Sequence, residues 1–180
     1  MKPLARQRLR RLRRSDPAKP EPLLVHSGLV TRIEPFHKIA RELPPLFERH
    51  WRELAQHQDK IPFAPNWDLF YQQALVGILH VHTARRGDVL VGFIFNVVWP
   101  HVNFVSTLHG GVERFWLDPV YRRGWFAFRW FKTNDDYLKK LGCKRLLVET
   151  VHHFEDGRVG SIFKRLGYVP IETTWEKING

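Results

Sequence analysis

The chain has 180 residues, a net charge of +11, 43% hydrophobic residues and 13% aromatic residues. This length and composition predict one folded domain with a sizeable core and exclude disorder of the whole chain. No apolar run approaches the length of a transmembrane helix, and the charged N-terminus has no signal-peptide core. The single cysteine, Cys143, excludes an intrachain disulfide and suits a reducing compartment, so we expect a cytoplasmic protein.

A basic segment precedes the predicted domain. Eight basic side chains and one acidic side chain in the first 20 residues contribute +7 to the net charge. Dense like charges resist compaction, and the stretch SDPAKPEP is typical of a linker. We therefore predict a flexible tail over residues 1–22 and a folded domain over residues 23–180. Residues 2–14 are a candidate contact for nucleic acid or another polyanion, with an anionic membrane or simple solubility as the alternatives.

Hydrophobic periodicity after the tail predicts an α/β domain built on a mixed sheet. Residues 101–111 give no clear prediction. The predicted elements are, in chain order, a strand at Val30–Glu34, helical segments over Phe36–Gln58 and from Asn66, strands at Ile78–Ala84, Val89–Trp99 and Val112–Leu117, a helix at Trp125–Leu141, a strand at Arg145–Val151, a helix at Arg158–Leu166 and a strand at Tyr168–Ile178.

The most informative segment is FWLDPVYRRGWFA, in which a strand runs into a basic turn and then into a helix. The first backbone N–H groups of a helix have no intrahelical partners, and with the helix dipole they form an anion site. Gly124 allows a phosphate to approach the backbone, while Arg122 and Arg123 add positive charge. This pattern indicates a site for a pyrophosphate.

The segment PVYRRGWFAFRWFKTNDDYLKKLGCKRLLVET resembles the coenzyme A-binding core of the GNAT N-acetyltransferases. The later stretch SIFKRLGYVPIETTWEKI resembles the second signature of that family, a short helix that ends in Leu-Gly-aromatic before a closing strand. A His-containing loop after the long third strand is similar to GNAT-like proteins of tailed phages. The resemblance implies a mixed, mostly antiparallel sheet with splayed central strands flanked by helices. The resemblance to phage proteins implies that the protein would be located in the cytoplasm of the host.

The resemblance also implies an enzyme that transfers an acetyl group from acetyl-CoA directly to an amine, whose identity the sequence leaves open. The pantetheine arm would enter the gap between the splayed strands, and the pyrophosphate would lie on the basic turn and the helix N-terminus. The cofactor-binding residues implied in this way are Phe115, Trp116, Leu117, Arg122, Arg123, Gly124, Trp125, Phe126 and Ala127.

Direct transfer to an amine requires a general base, because only the deprotonated amine attacks a thioester. We prefer Glu113, which precedes the turn at the start of a predicted strand, with an ordinary surface glutamate at a strand end as the alternative interpretation. The alternative base is His109, since an imidazole ordinarily titrates near neutral pH, although a histidine on a loop is usually just solvated.

Two positions depart from the family pattern. The usual pyrophosphate signature is Gln or Arg, two residues, Gly, one residue, then Gly or Ala; Arg122 and Ala127 match its ends, but Gly124 comes one position early. Phe163 stands where the family often has a tyrosine general acid. These departures leave a second interpretation open: a GNAT-fold module with weak or no catalysis that associates with nucleic acid or with a phage or host protein through its basic tail.

Ten histidines raise the question of a metal site. His80 and His82 share one face of a predicted strand, and His152 and His153 are adjacent, but no spacing supplies three or four convergent ligands. We therefore expect solvated histidines and no metal. The aromatic residues of the helix after the basic turn fit helical core spacing, and only Trp125 among them is expected near a ligand.

Overall fold

The computed structural model describes residues 21–101, 103–150 and 157–178. These residues divide into two compact units, the first of which ends at Glu149. The basic tail and the His152–His153 pair lie outside the described residues, so the predictions about them stay predictions. The single-domain boundary at residue 23 also remains a prediction.

A six-stranded sheet forms the centre of the first unit, with its strands side by side in chain order. Neighbouring strands are antiparallel except the last two, which are parallel. The expectation of a mixed, mostly antiparallel sheet is therefore confirmed. The strands are β1 (Leu24–His26), β2 (Leu29–Glu34), β3 (Leu79–Arg86), β4 (Val89–His101), β5 (Phe104–Leu117) and β6 (Cys143–Val148).

Helices cover both faces of this sheet. Val81 and Phe95 belong to a hydrophobic core shared with the helices that precede β3, whereas their neighbours His82 and Asn96 bind Asn134 of the helix after β5. Because successive strand residues point to opposite faces, the two sets of helices lie on opposite sides. We call these sides the α2 face and the α4 face. The helices are α1 (Phe36–Ile39), α2 (Leu43–Leu54), α3 (Trp67–Leu75) and α4 (Phe126–Lys140), with a 3₁₀ turn at Pro119–Tyr121.

A buried polar network joins α4 to the sheet. His82 Nδ1 lies 3.1 Å from Asn134 Oδ1, and its Nε2 lies 3.0 Å from Thr31 Oγ1. Asn134 and Asn96 exchange two amide hydrogen bonds of 2.9 and 2.8 Å. Burial lowers the pKa of His82 to about 4, so its imidazole is neutral at neutral pH. The expectation of solvated histidines is wrong here, because hydrogen bonds replace the water that this ring would otherwise need.

His80 is also held inside the first unit rather than in solvent. Its Nδ1 lies 2.7 Å from the hydroxyl of Tyr137 on α4, and its Nε2 lies 3.2 Å from the carbonyl oxygen of Gly77. Burial lowers the pKa of His80 from its usual value. The two histidines of β3 therefore have a structural role that the sequence did not indicate.

The second unit contains helix α5 (Arg158–Leu166), with the bounds that its sequence predicts. Gly167 ends this helix in the left-handed conformation, at φ +89°. The prediction of a closing strand at Tyr168–Ile178 is wrong, because residues 168–178 form no strand. Alternating apolar residues make a segment suitable for a sheet, but a strand also needs backbone pairing with a neighbour.

Candidate active site

Strands β5 and β6 diverge halfway along β5. Their parallel pairing runs from Leu108, opposite Cys143, to Val112, opposite Val148, and ends there. Strand β5 continues to Leu117, paired only with β4 on its other side. Within the described residues, the backbone of residues 113–117 therefore borders an open fork, which is the splay expected between the central strands.

Glu113 lies at the base of this fork and is the extra residue of a β-bulge. On β4, Phe95 pairs with Arg114 and Asn96 pairs with Val112, so no residue of β4 lies opposite Glu113. A bulge interrupts the alternation of a strand and re-aims the side chains that follow it. Arg114 accordingly lies on the α2 face, and the Glu113 carboxylate is on that side too, 3.5 Å from the Arg114 guanidinium.

Arg114 is positioned by aromatic rings of α2 and α3. Its guanidinium carbon lies 5.4 Å from the ring centre of Phe70 and 6.0 Å from that of Phe47, within the range of cation–π attraction. His50 is close enough for the Arg114 charge to act on it: burial first, and then Arg114, lower the pKa of His50 to about 4. The α2 face beside the fork thus carries a neutral imidazole and a stacked cation.

His109 is buried in β5, not exposed on a loop, so the expectation of a solvated histidine is wrong. It is 1% exposed and lies against the rings of Trp99 and His101, with centroid distances of 6.0 and 4.9 Å. Neither ring nitrogen has a hydrogen-bond partner among the described residues. Burial, followed by the charges of His101 and Arg145, lowers the pKa of His109.

The two candidate bases are not brought together. His109 belongs to the paired part of β5, opposite Arg145 of β6, whereas Glu113 lies just past the end of that pairing. Four residues of extended strand separate them by roughly 12 Å. Of the two, Glu113 is the one at the fork.

The turn before α4 is open to an incoming ligand. Gly124 adopts φ +75°, and no atom of the residues that the structure describes lies within 4 Å of the position that a Cβ would occupy. Arg123 and Trp125 are exposed, and the Trp125 side chain, 56% exposed, contacts the Phe128 ring at 5.7 Å. This turn therefore has room for a bulky anion, although its glycine comes one position earlier than the family pattern.

The first backbone N–H groups of α4 have no acceptor within the helix. Trp125 is the N-cap and makes no side-chain capping bond, and the first intrahelical bond runs from the Arg129 N–H to the Trp125 carbonyl. The N–H groups of residues 126–128 are consequently without intrahelical acceptors. No acidic side chain occupies the first turn, so the positive end of the helix dipole is not neutralised there. These groups can bind an anion of the size of a phosphate.

Arg122 binds a residue for which the sequence indicated no role. Its Nη1 and Nη2 donate to the carboxylate of Glu53 on α2, and its Nε donates to the carbonyl of Leu117 at 2.6 Å. The Trp116 indole donates to the same carboxylate at 2.9 Å. The hydrogen bond from Arg122 is the main reason that the pKa of Glu53 is lowered. Arg122 therefore holds the turn against α2. Arg123 is the exposed cation of the turn.

The other cofactor-binding candidates present mainly backbone. Trp116, Leu117 and Phe126 have buried side chains, so a ligand in the fork meets their main-chain atoms. Phe115 points to the α4 face, where its ring meets Phe131 edge-on at 5.0 Å. Ala127 is half-buried in the first turn of α4. This arrangement suits pairing of an extended arm with the free edge of β5.

Two further properties concern metals and membranes. Over residues 21–101, 103–150 and 157–178, no group of three or more His, Cys, Asp or Glu side chains is arranged to hold a metal ion. Over the same residues, no helix has the length and hydropathy that crossing a membrane requires.

A mixed sheet that opens between β5 and β6, followed by an uncapped helix N-terminus, is the arrangement expected from the resemblance to the GNAT acetyltransferases. The profile of the Acetyltransferase (GNAT) family matches residues 37–168, and the chain belongs to this family. Its members are N-acetyltransferases that use acetyl-CoA as acetyl donor. No curated protein sequence matches the chain at a significant level.

Solved structures share this fold at low sequence identity. A ribosomal-protein-alanine N-acetyltransferase from Brucella melitensis biovar Abortus 2308 is similar with a TM-score of 0.62 and 16% identity, over 84% of this chain and 99% of that one. An aminoglycoside acetyltransferase from an uncultured soil metagenomic sample is similar with a TM-score of 0.67 and 10% identity, over 84% and 99%. A predicted acetyltransferase with acetyl-CoA from Clostridium acetobutylicum is similar with a TM-score of 0.62 and 13% identity, over 84% and 96%.

Proposed function

We propose that acetyl-CoA binds in the fork between β5 and β6 and that its acetyl group passes directly to an amine. The observation that carries this proposal is that one short turn, residues 118–125, joins the strand edge at the fork to the uncapped N-terminus of α4. The free edge of residues 113–117 offers main-chain partners to the pantetheine arm. The amides of residues 126–128, Gly124 and Arg123 offer donors and space to the pyrophosphate.

Glu113 is the general base in this proposal. The bulge sets its carboxylate on the α2 face at the base of the fork, about a third exposed, where an amine can reach it from solvent. The carboxylate takes a proton from the ammonium form of the acceptor, and the free amine attacks the thioester carbon. His109 is less suitable, because it is buried against Trp99 and His101.

No side chain is assigned as the acid for the departing thiolate. Phe163, at the position of the expected tyrosine, is buried in the second unit and contacts the Tyr168 ring at 5.5 Å. A phenyl ring cannot donate a proton. Because a thiolate is a fair leaving group, protonation by water is sufficient for turnover.

Three further proposals rest on the sequence alone. They are a likeness to GNAT-like proteins of tailed phages, a location in the host cytoplasm and the binding of nucleic acid by residues 2–14. The alternative of a non-catalytic module rests on that tail, on Phe163 and on the shifted position of Gly124. The open fork and the accessible Glu113 favour the enzyme.

Calorimetric titration with acetyl-CoA and with CoA tests the proposal. We expect saturable micromolar binding, lost in Gly124→Glu, which places a side chain and a negative charge in the turn. Gly142→Glu is the matched control, since Gly142 also has a positive φ, of +92°, and open space around it, at the opposite end of α4. Undiminished affinity in Gly124→Glu, or equal losses in both variants, would show that the turn is not the phosphate site.

A further inference from the structure

We infer that the acceptor amine carries an anionic group, a carboxylate or a phosphate, close to its amino group, and that Arg114 binds this group. The inference deepens the proposed function and rests on it, since Glu113 serves as the base for the same acceptor. It follows from four properties of the α2 face beside the fork.

The first property is that opposite charges stand side by side there. Adjacent strand residues ordinarily point to opposite faces, but the bulge at Glu113 brings its carboxylate to the side of Arg114. The two side chains are 36% and 38% exposed, so a ligand in solution can reach both. A molecule with an ammonium and a neighbouring anion complements this pair, with each charge opposite its counterpart.

The second property is that the guanidinium retains donors for a ligand. The nitrogen–oxygen distance to Glu113 is 3.5 Å, longer than the roughly 2.7–2.9 Å of a strong charge-assisted hydrogen bond, and it involves one carboxylate oxygen. The planar guanidinium has five N–H donors in a fork that suits two oxygens of one anion. A carboxylate or a phosphate ester can therefore bind without displacing Glu113.

The third property is that Arg114 is fixed in place before any ligand arrives. Its guanidinium lies over the rings of Phe47 and Phe70, both buried in the core between α2, α3 and the sheet. An arginine held by stacking loses less freedom on binding than one on an open surface. His50 beside it is neutral and does not compete for the anion.

The fourth property is that the nearby carboxylates are already paired. Glu53 is bound by Arg122, Asp118 lies 3.2 Å from Arg49, and Glu48 lies 2.7 Å from Arg52. These three carboxylates are thus already neutralised by arginines, and the Arg114 charge repels a polycation. Polyamines and aminoglycosides are poorer matches than zwitterionic amines.

The test uses matched pairs of acceptors with the full-length protein. Release of CoA thiol is measured with L-alanine against L-alaninamide, with O-phosphoethanolamine against ethanolamine, and with spermidine as the polycation. We expect kcat/KM to be at least about tenfold higher for the anionic member, as the 1.4 kcal/mol of one charge-assisted contact implies. The first pair reports on carboxylates and the second on phosphates, so the arms separate the two sources of the anion.

Substitutions at Arg114 assign the preference to this residue. In Arg114→Met, we expect the ratio of kcat/KM between the anionic and the neutral member of each pair to fall to about 1. This fall should come from a higher KM for the anionic member, and Arg114→Lys should give an intermediate ratio. Arg52→Met is the matched control, because Arg52 is an exposed arginine of the same face whose partner is Glu48 on its own helix. This control is expected to keep the wild-type ratio.

Calorimetric binding of each amine to the protein gives a result even without turnover. Equal or tighter binding of the neutral amines or of spermidine overturns the inference, as does an anion preference that survives in Arg114→Met. Absence of acetyl-CoA binding contradicts the proposed function instead. Equal acetylation of amines with and without an anionic group would agree with the proposed acetyltransferase activity and contradict only the inferred acceptor class.

Discussion

Glu53 on α2 and Arg122 on the turn before α4 form a two-bond ion pair, in which Arg122 Nη2 lies 2.7 Å from Glu53 Oε2. The Trp116 indole binds the same carboxylate, so one side chain of α2 holds both the end of β5 and the turn that follows it. The turn that we propose as the phosphate site is therefore positioned from the side of the sheet opposite to α4.

The ion pair between Glu53 and Arg122 predicts that Glu53→Gln weakens acetyl-CoA binding indirectly, through the turn and not through a contact with the ligand. We expect Kd to rise about fivefold, the scale of one partly exposed ion pair, because Arg122 no longer holds the turn in its binding conformation. Calorimetry measures the change, and Glu48→Gln, which removes a carboxylate from the same helix, is the control. A Kd that stays at the wild-type value would mean that the turn keeps its conformation without Glu53.

Glu113→Gln is expected to lower kcat by a factor of about 10² or more at neutral pH, because the amide cannot accept the proton of the ammonium acceptor. Acetyl-CoA affinity, measured in parallel, should change little. His109→Gln provides the comparison between the two candidate bases. A large loss in His109→Gln together with full turnover in Glu113→Gln would reverse the assignment.

Arg85→Met is expected to destabilise the fold by about 3 kcal/mol. The Arg85 guanidinium binds Glu34 and Glu42, with Nη2 at 2.9 and 2.8 Å from their carboxylates, and its removal leaves the buried Glu34 without its cation. Urea unfolding measures the loss, and Arg52→Met, at an exposed pair, should cost under about 1 kcal/mol. Similar losses in the two variants would contradict this role for Arg85.

The stability of the fold is expected to fall as the pH drops from about 6.5 toward 4. Burial lowers the pKa of His82 and of His50 to about 4, so between these values the unfolded chain binds protons that the folded chain does not. His82 alone can account for about 3 kcal/mol across this range. Urea midpoints between pH 7.5 and 4.5 measure the slope, which should be shallower in His82→Gln. A slope that is unchanged in that variant would exclude His82 as a source.

Deletion of residues 1–20 is expected to flatten the salt dependence of any binding to DNA or RNA. Each phosphate contact made by the basic tail adds nearly one unit to the slope of log affinity against log salt concentration. Fluorescence anisotropy with a short duplex over a range of salt concentrations measures this slope. The same slope in the full and shortened chains would assign the contact to another surface.

The sequence predicted the strand, basic turn and helix around Gly124 because the signals there are local. Glycine, paired arginines and apolar spacing act within a dozen residues, and helix α4 begins at Phe126, one residue from its predicted start. Glu53 was missed because it is 69 residues from Arg122 in the chain, and nothing local distinguishes it from other helical glutamates.

Strand β5 shows why other parts of the site could not be predicted. The His-Gly-Gly run at residues 109–111 has the composition of a turn. In the fold, Gly111 lies under the Trp99 ring, where a Cβ would come within 2.8 Å of its carbon atoms. The bulge at Glu113, which brings Arg114 to the α2 face, depends on pairing with β4 and has no sequence signature of its own.

The Asn134 contacts have a kinetic consequence for the first encounter with ligand. Asn134 bonds to both β3 and β4, so α4 cannot slide or rotate without breaking several buried hydrogen bonds at once. Under the proposed function, the donors at its N-terminus are therefore in place before coenzyme A binds, and we expect association to need no slow rearrangement of this helix. Stopped-flow traces for coenzyme A should be single exponentials whose observed rate rises linearly with ligand concentration.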